Sequence, residues 1–330
     1  MKALDTFRPF WVVRGGSIQT VAGMFWPQIR VPCGEAERSL VSIGNDGYLS
    51  VIENRPSNWS LGKRIVLLVH GLTGSENSTH PVRLADAFVR RGVLTVRMNM
   101  RGCGPGEGLA RGIYHSGRSE DTRSVLEWIA KKYPGSPITQ IGISLGGNAT
   151  LKMAGELGRH SPTCLESVVA VSAPIDLLSC SRRISETKNR LFDFYFSKHL
   201  LRHVQRQNQN NPEKMPKVPI ELMSGRLTLA KFDDLYVAPV SGFRDGKHYY
   251  ESCSSLPLID SISCRSLLLT SEDDPIIPVD SYLDLAQHPK RRVVITKGGG
   301  HAAFIGQQKD PDFGRFWMDR VIVDWVMSSR

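Results

Sequence analysis

The string Gly142-Ile143-Ser144-Leu145-Gly146 sets one serine between two glycines in a G-x-S-x-G pattern. A serine at a tight strand-to-helix bend sits in strained backbone geometry. The glycines relieve the crowding there and leave its Oγ clear for attack. A hydroxyl is a poor nucleophile at neutral pH, so it needs a base, and the base needs an orienting acid. Both stand downstream. Ser271-Glu272-Asp273-Asp274-Pro275-Ile276-Ile277-Pro278 offers two adjacent carboxylates. Asp274 is preferred as the acid because it directly precedes Pro-Ile-Ile-Pro, with Asp273 as the competing acid or as a helper capping the turn. Gly298-Gly299-Gly300-His301 then offers a histidine on a flexible glycine-rich loop. The chemistry expected of Ser144, Asp274 and His301 is acyl transfer. The serine pattern alone also fits an ordinary glycine-rich turn in a chain with 30 glycines. What carries the expectation is the order serine, acid, histidine, each at the carboxyl end of a strand.

Acyl transfer also needs donors for a developing oxyanion, worth about 3–4 kcal/mol each when well placed. The N–H of Leu145, after the nucleophile, supplies one. The second is expected from the loop His70-Gly71-Leu72-Thr73-Gly74, where Gly71 admits close approach and the N–H of Leu72 is the candidate. His70 reads as a loop-fixing histidine rather than a second base.

Positioning these groups requires an α/β frame. Ile65-Val66-Leu67-Leu68-Val69 is a continuous apolar run, as in a strand buried on both faces. A helix is expected over 81–91, strands over 93–96 and 138–143, and helices over 119–132 and 146–157. Another strand follows over 167–171. After Pro174 the rhythm breaks into a stretch rich in Arg, Lys, Asn and Gln. Residues 175–256 are therefore read as an inserted helical cap, with 1–174 and 257–330 as the α/β core. Residues 205–219, with three prolines, are its most linker-like part. The alternation resumes with a strand over 266–270, a helix over 278–287, a strand over 292–296 and a closing helix over 315–327. Weak alternation at 40–43 and 48–52 suggests leading antiparallel strands. The expected whole is a mostly parallel central sheet with helices on both faces.

Composition narrows the class further. The chain has 330 residues, 41% of them hydrophobic and 22% charged, enough to bury a sizeable core and outside the range of a disordered tail or a small disulfide scaffold. No apolar run approaches the roughly 20 residues that span a bilayer. Asp5, Arg8, Pro9 and Arg14 interrupt any secretory leader. Six scattered cysteines without a C-x-x-C pair read as thiols of a reduced, cytoplasmic compartment rather than a metal or disulfide framework. The formal net charge is +10, yet no nucleic-acid reader motif accompanies it, so nucleic-acid binding is not expected. Arg182, Arg183, Lys188, Arg190, Lys198, Arg202 and Arg206 could meet an anionic membrane surface transiently, or simply form solvated helix faces. Leu191, Phe192, Phe194, Tyr195, Phe196, Leu200 and Leu201 could wall an acyl tunnel or pack the cap onto the core. Tyr114-His115-Ser116 could line an acyl pocket, but a structural hydrogen-bonding cluster is preferred. Cys103 is read as a packed thiol.

The HGLTG loop, the GxSxG bend, the DDP turn and the GGGH loop together resemble the α/β-hydrolase superfamily. Longer strings narrow the resemblance. They are Gly16-Ser17-Ile18-Gln19-Thr20, Arg101-Gly102-Cys103-Gly104, Ile113-Tyr114-His115-Ser116-Gly117 with Glu120-Asp121, Leu229-Ala230-Lys231-Phe232-Asp233-Asp234 before Ala238-Pro239, Gly242-Phe243, Tyr249-Tyr250 and Ser254-Ser255-Leu256-Pro257. Over nearly the whole chain these resemble the YheT-like group, the fourth AB-hydrolase family, which includes bacterial esterases and animal lipid hydrolases. The resemblance implies a Ser144–Asp274–His301 charge-relay triad and hydrolysis of small-molecule carboxylic or acylglycerol-type lipid esters, with no metal or organic cofactor. Animal members generally carry an N-terminal membrane anchor that this sequence lacks, so the expectation is a cytoplasmic protein, at most peripheral to a membrane. The rival expectations are a thioesterase or other acyl hydrolase on the same three residues, and a non-catalytic lipid-surface or ligand-binding member of the fold.

Overall fold

Helix α1 (Gly16–Phe25) and two strands, β1 (Glu35–Ser42) and β2 (Tyr48–Arg55), lead the chain in the computed structural model, which describes residues 6–26, 31–223 and 225–328. Strand and helix then alternate through β3 (Ile65–Val69), α2 (Thr79–Val89), β4 (Leu94–Met98), α3 (Ser119–Lys132), β5 (Ile138–Ile143), α4 (Leu145–Leu157) and β6 (Leu165–Val171). A helical stretch follows: α5 (Leu177–Ser185), α6 (Arg190–Asn210), then α7 (Leu229–Phe232), a π-helical turn (Asp233–Val237) and α8 (Ala238–Val240) in direct succession, and α9 (Gly246–Cys253). The chain closes with β7 (Arg265–Ser271), α10 (Asp280–Leu283), β8 (Arg291–Thr296), a hairpin of β9 (Ile305–Asp310) and β10 (Gly314–Phe316), and α11 (Trp317–Met327).

Eight strands form one sheet in the order β1-β2-β4-β3-β5-β6-β7-β8. The leading pair is antiparallel, and β2 joins β4 antiparallel, while every pairing from β4 through β8 is parallel. The central strands β3 and β5 are buried along their whole length, because both faces are covered. Alternate side chains divide the core in two. Val66 and Leu68 pack with Leu84 and Phe88 of α2 and Met318 and Ile322 of α11. Ile65, Leu67 and Val69 face the other layer with Leu126 and Ile129 of α3 and Leu151 and Ala154 of α4. That second layer runs on without a break into Leu177, Leu200, Phe232 and Tyr236, so the helices between β6 and β7 share a core with the sheet.

Two local expectations differ from what the chain does, and one hairpin is unanticipated. The linker-like stretch 205–219 begins as helix, since α6 continues to Asn210. Its amides are tethers: Gln207 donates to the Gly102 carbonyl at 2.7 Å and Asn208 to the Pro216 carbonyl at 3.0 Å. The helix expected over 278–287 shrinks to the single turn of α10. Leu283 is exposed and gives no apolar face to extend it. The hairpin 305–316 has weak strand character in sequence and is held from outside, by a bridge between Pro9 and Gly306 and by Gln19 on both polar groups of Ile305.

Candidate active site

Ser144 stands between β5 and α4 with φ 53° and ψ −123°, a backbone state an L-residue adopts only under constraint. The neighbouring glycines are what permit it. A Cβ on Gly142 would lie 2.1 Å from the Gly146 carbonyl oxygen, and one on Gly146 would lie 2.4 Å from the His70 carbonyl oxygen. The Ser144 N–H is fixed to the Val171 carbonyl at 2.8 Å, which ties the bend to the neighbouring strand.

The three residues chosen for acyl transfer meet. His301 Nε2 lies 2.9 Å from Ser144 Oγ, and its Nδ1 lies 2.9 and 3.2 Å from Asp274 Oδ2 and Oδ1. Asp274 is fully buried. Its Oδ1 accepts the N–H groups of Ile276 and Ile277 at 2.8 and 3.0 Å, so the Pro-Ile-Ile-Pro turn aims the carboxylate. Asp273 takes a different place, with Oδ1 accepting the Gly300 N–H at 2.9 Å.

The histidine loop is not the free glycine-rich loop expected. Besides the Asp273 bond, the His301 N–H donates to Thr20 Oγ1 at 2.8 Å, the Ala302 N–H donates to Ser172 Oγ at 3.1 Å, and the Ser271 hydroxyl donates to the Gly300 carbonyl at 3.0 Å. Sequence reasoning missed Thr20 and Ser172 as supports. Only the resemblance string Gly16-Ser17-Ile18-Gln19-Thr20 hinted that α1 matters, and nothing local marked Ser172, whose φ of 44° shows in the fold alone.

The loop after β3 lies against the serine, and a Cβ on Gly71 would meet Ser144 Cβ at 3.1 Å. His70 behaves as a fixed post. Its Nδ1 lies 2.8 Å from the Gly71 carbonyl and its Nε2 accepts the Met100 N–H at 3.1 Å. Burial pushes its pKa down to about 4, so it is neutral. Thr73, with φ 59°, gives its N–H to the Tyr114 hydroxyl at 3.0 Å. Leu145 is the first residue of α4, so its own N–H has no carbonyl a turn earlier to bond.

Two cavities flank Ser144. One, of about 100 Å³, is walled mainly by apolar side chains, among them Leu72, Ile113, Leu145, Leu177, Phe196 and Phe232. The other, of about 290 Å³, lies towards Thr20, Gly74, His80 and Ala302. Tyr114, His115 and Ser116 line the first cavity and are hydrogen-bonded as well: the Ser116 N–H donates to the Tyr249 hydroxyl and the Gly117 N–H to His115 Nδ1. Of the apolar cap candidates, Phe196 and Leu200 line the first cavity, whereas Leu191 and Phe194 are exposed. Several of the cap cations have intrachain partners: Arg183 and Lys188 pair with Glu186, and Arg206 with Glu107. Cys103 is a buried free thiol whose pKa burial pushes up. No helix among the described residues is long and apolar enough to cross a membrane.

Comparison with known proteins bears on the family and the fold. Residues 64–307 match the family model described as the alpha/beta hydrolase fold. YheT of Escherichia coli, named as an esterase, is 32% identical over 307 residues, covering 92% of this chain and 84% of that protein. A Saccharomyces cerevisiae monoacylglycerol lipase is 27% identical over 77% of this chain, which spans 57% of that longer protein. Among solved structures, the Pyrococcus furiosus esterase Pf2001 superposes with a TM-score of 0.57 at 16% identity, over 91% of this chain and 95% of the other, a likeness of fold.

Proposed function

Because this chain belongs to the α/β-hydrolase family, we propose that it hydrolyses carboxylic esters of lipid or short-chain type through an acyl-enzyme on Ser144. The observation that carries the reading is the pair of 2.9 Å contacts that join Ser144 to His301 and His301 to Asp274 across 157 and 27 positions of sequence. His301 takes the serine proton as Oγ attacks the ester carbonyl. Asp274 holds the imidazole in the tautomer that presents Nε2 and stabilises the imidazolium that forms. The N–H groups of Leu145 and Leu72 receive the oxyanion. His301 then protonates the departing alcohol, and water repeats the sequence on the acyl-enzyme to release the acid. Residues 175–256 act as the cap. The narrow apolar cavity beneath them takes the acyl chain, and the wider cavity on the α1 side takes the alcohol. Esterase and monoacylglycerol lipase names among the relatives support an ester substrate. Scattered free thiols support a reducing, cytoplasmic setting.

The test is active-site labelling by a fluorophosphonate together with turnover of p-nitrophenyl and monoacylglycerol esters. Ser144→Ala is expected to abolish labelling and to lower kcat by about 10⁴-fold or more. Undiminished turnover in that variant overturns the proposal.

A further inference from the structure

The narrow cavity beside Ser144 contains one carboxyl besides the serine–histidine machinery. Asp233 lines it and is 7% exposed. It is the first residue of the π-helical turn Asp233–Val237, and such turns displace one side chain from the regular helical register, frequently at functional sites. Its Oδ2 accepts the Tyr250 hydroxyl at 2.8 Å, and the Tyr250 oxygen accepts the Ser181 hydroxyl at 3.2 Å. Both partners line the same cavity. Among the described residues no protein donor reaches the other carboxylate oxygen, Oδ1. Asp233 therefore lines an apolar cavity with one carboxylate oxygen not engaged by a protein donor, and such an acceptor is a recognition element for a polar ligand group.

We propose that Asp233, backed by Tyr250 and Ser181, is a polar subsite that binds a hydroxyl on the acyl chain, so that hydroxyacyl esters are the preferred substrates. The proposal rests on the reading of this cavity as the acyl site of an ester hydrolase. Burial pushes the Asp233 carboxyl up to about 7, so near neutral pH it presents both an acceptor and a donor form. A hydroxyl satisfies either, because it donates and accepts. A keto oxygen satisfies only the protonated form, and a substrate carboxylate is repelled by the ionised one. An unsubstituted alkyl chain leaves Oδ1 unpaired, and sites built to bond a substrate hydroxyl discriminate strongly against analogues that lack it.

The experiment is a set of p-nitrophenyl esters of one acyl length, plain or with a single hydroxyl walked along the chain, assayed for kcat/KM. The wild type is expected to prefer one hydroxyl position over the plain ester by at least about tenfold. Asp233→Leu is expected to collapse that ratio to near one, and Asp233→Asn, which keeps hydrogen-bonding capacity, to retain part of it. Should Asp233→Leu fail to fold, product inhibition of the wild type reads the same subsite, and the favoured hydroxy acid should inhibit at about a tenth of the concentration of its plain counterpart or less. Absence of any preferred position, equal inhibition by the two acids, or a preference that survives Asp233→Leu overturns the subsite. A wild type that neither labels with fluorophosphonate nor hydrolyses any of the esters overturns the underlying ester-hydrolase reading instead.

Discussion

The hydroxyl of Thr20 receives the backbone N–H of His301 at 2.8 Å, across 281 positions of sequence, while donating its own proton to the Gly16 carbonyl at 2.7 Å. Helix α1 thereby fixes the height of the imidazole above Ser144. The fit is close, since a Cβ on Gly300 would lie 2.4 Å from the Gly16 carbonyl oxygen, and one on Gly16 would lie 1.6 Å from the Asp273 carbonyl oxygen.

Removing that acceptor tests Thr20 as a positioning residue. Thr20→Val leaves the His301 N–H unpaired in a part-buried setting, and a misplacement of about 1 Å at a reacting group can cost on the order of 10²-fold. The expected result is a kcat lowered roughly 10- to 100-fold with KM little changed, rescued by Thr20→Ser. A parallel loss in KM, or no rescue, counts against the positioning role.

The two adjacent carboxylates should separate cleanly. Asp274→Asn removes the charge and, with Oδ1 held by the Ile276 and Ile277 N–H groups, turns an amide donor towards His301 Nδ1, which is expected to lower kcat by about 10⁴-fold. Asp273→Asn disturbs only the bond from the Gly300 N–H and should cost about tenfold or less. Equal losses in the two variants would return the choice of acid to where the bare DDP string leaves it.

The bend at Ser144 has no room for a methyl group on its glycines. Gly146→Ala drives a Cβ into the His70 carbonyl, a backbone atom that cannot move aside, and overpacking of this kind costs about 1–3 kcal/mol or more. Fluorophosphonate labelling should slow by about 100-fold and the melting temperature should fall. Gly106→Ala is the control. Its nearest neighbour would be 3.7 Å away, so stability should change by no more than about 0.5 kcal/mol.

Buried histidines set the acid limit of stability. Burial pushes His70 and His203 down to about 4 and His80 and His115 to about 3. Below about pH 6.5 the unfolded chain therefore takes up protons that the folded chain refuses, and stability falls as pH falls. Asp233 acts in the opposite sense. Raised to about 7 by burial, it holds a proton in the fold that the unfolded chain releases above about pH 4, so its contribution declines as pH rises to 7. Asp121 and Asp193, which burial also pushes up, act in the same sense as Asp233, and the four histidines outweigh these carboxyls. Urea unfolding should show a loss of a few kcal/mol, in order of magnitude, between pH 7 and pH 5, and a midpoint that is flat or rises over that interval contradicts the account.

The parts of this protein legible in the sequence are those in which a local pattern has one physical cause. A run such as Ile65–Val69 has no polar residue to face water, so it reads as a strand covered on both sides. The glycines flanking Ser144 mark a bend because only a missing Cβ fits there, and Asp274 before Pro-Ile-Ile-Pro and His301 after three glycines stand at strand ends for related reasons. What the sequence could not display is the partnership of groups far apart in the chain. Thr20 and Ser172 look like ordinary helix and loop residues until the sheet brings them beneath the His301 loop. Asp233 reads as one acid in a cap with little periodicity, and only the packing of α7, α9 and the π turn puts it inside an apolar cavity beside Tyr250. Local sterics are written in adjacent residues, whereas burial and long-range hydrogen bonds exist only once the chain has closed on itself, and the supports of the His301 loop belong to the second kind.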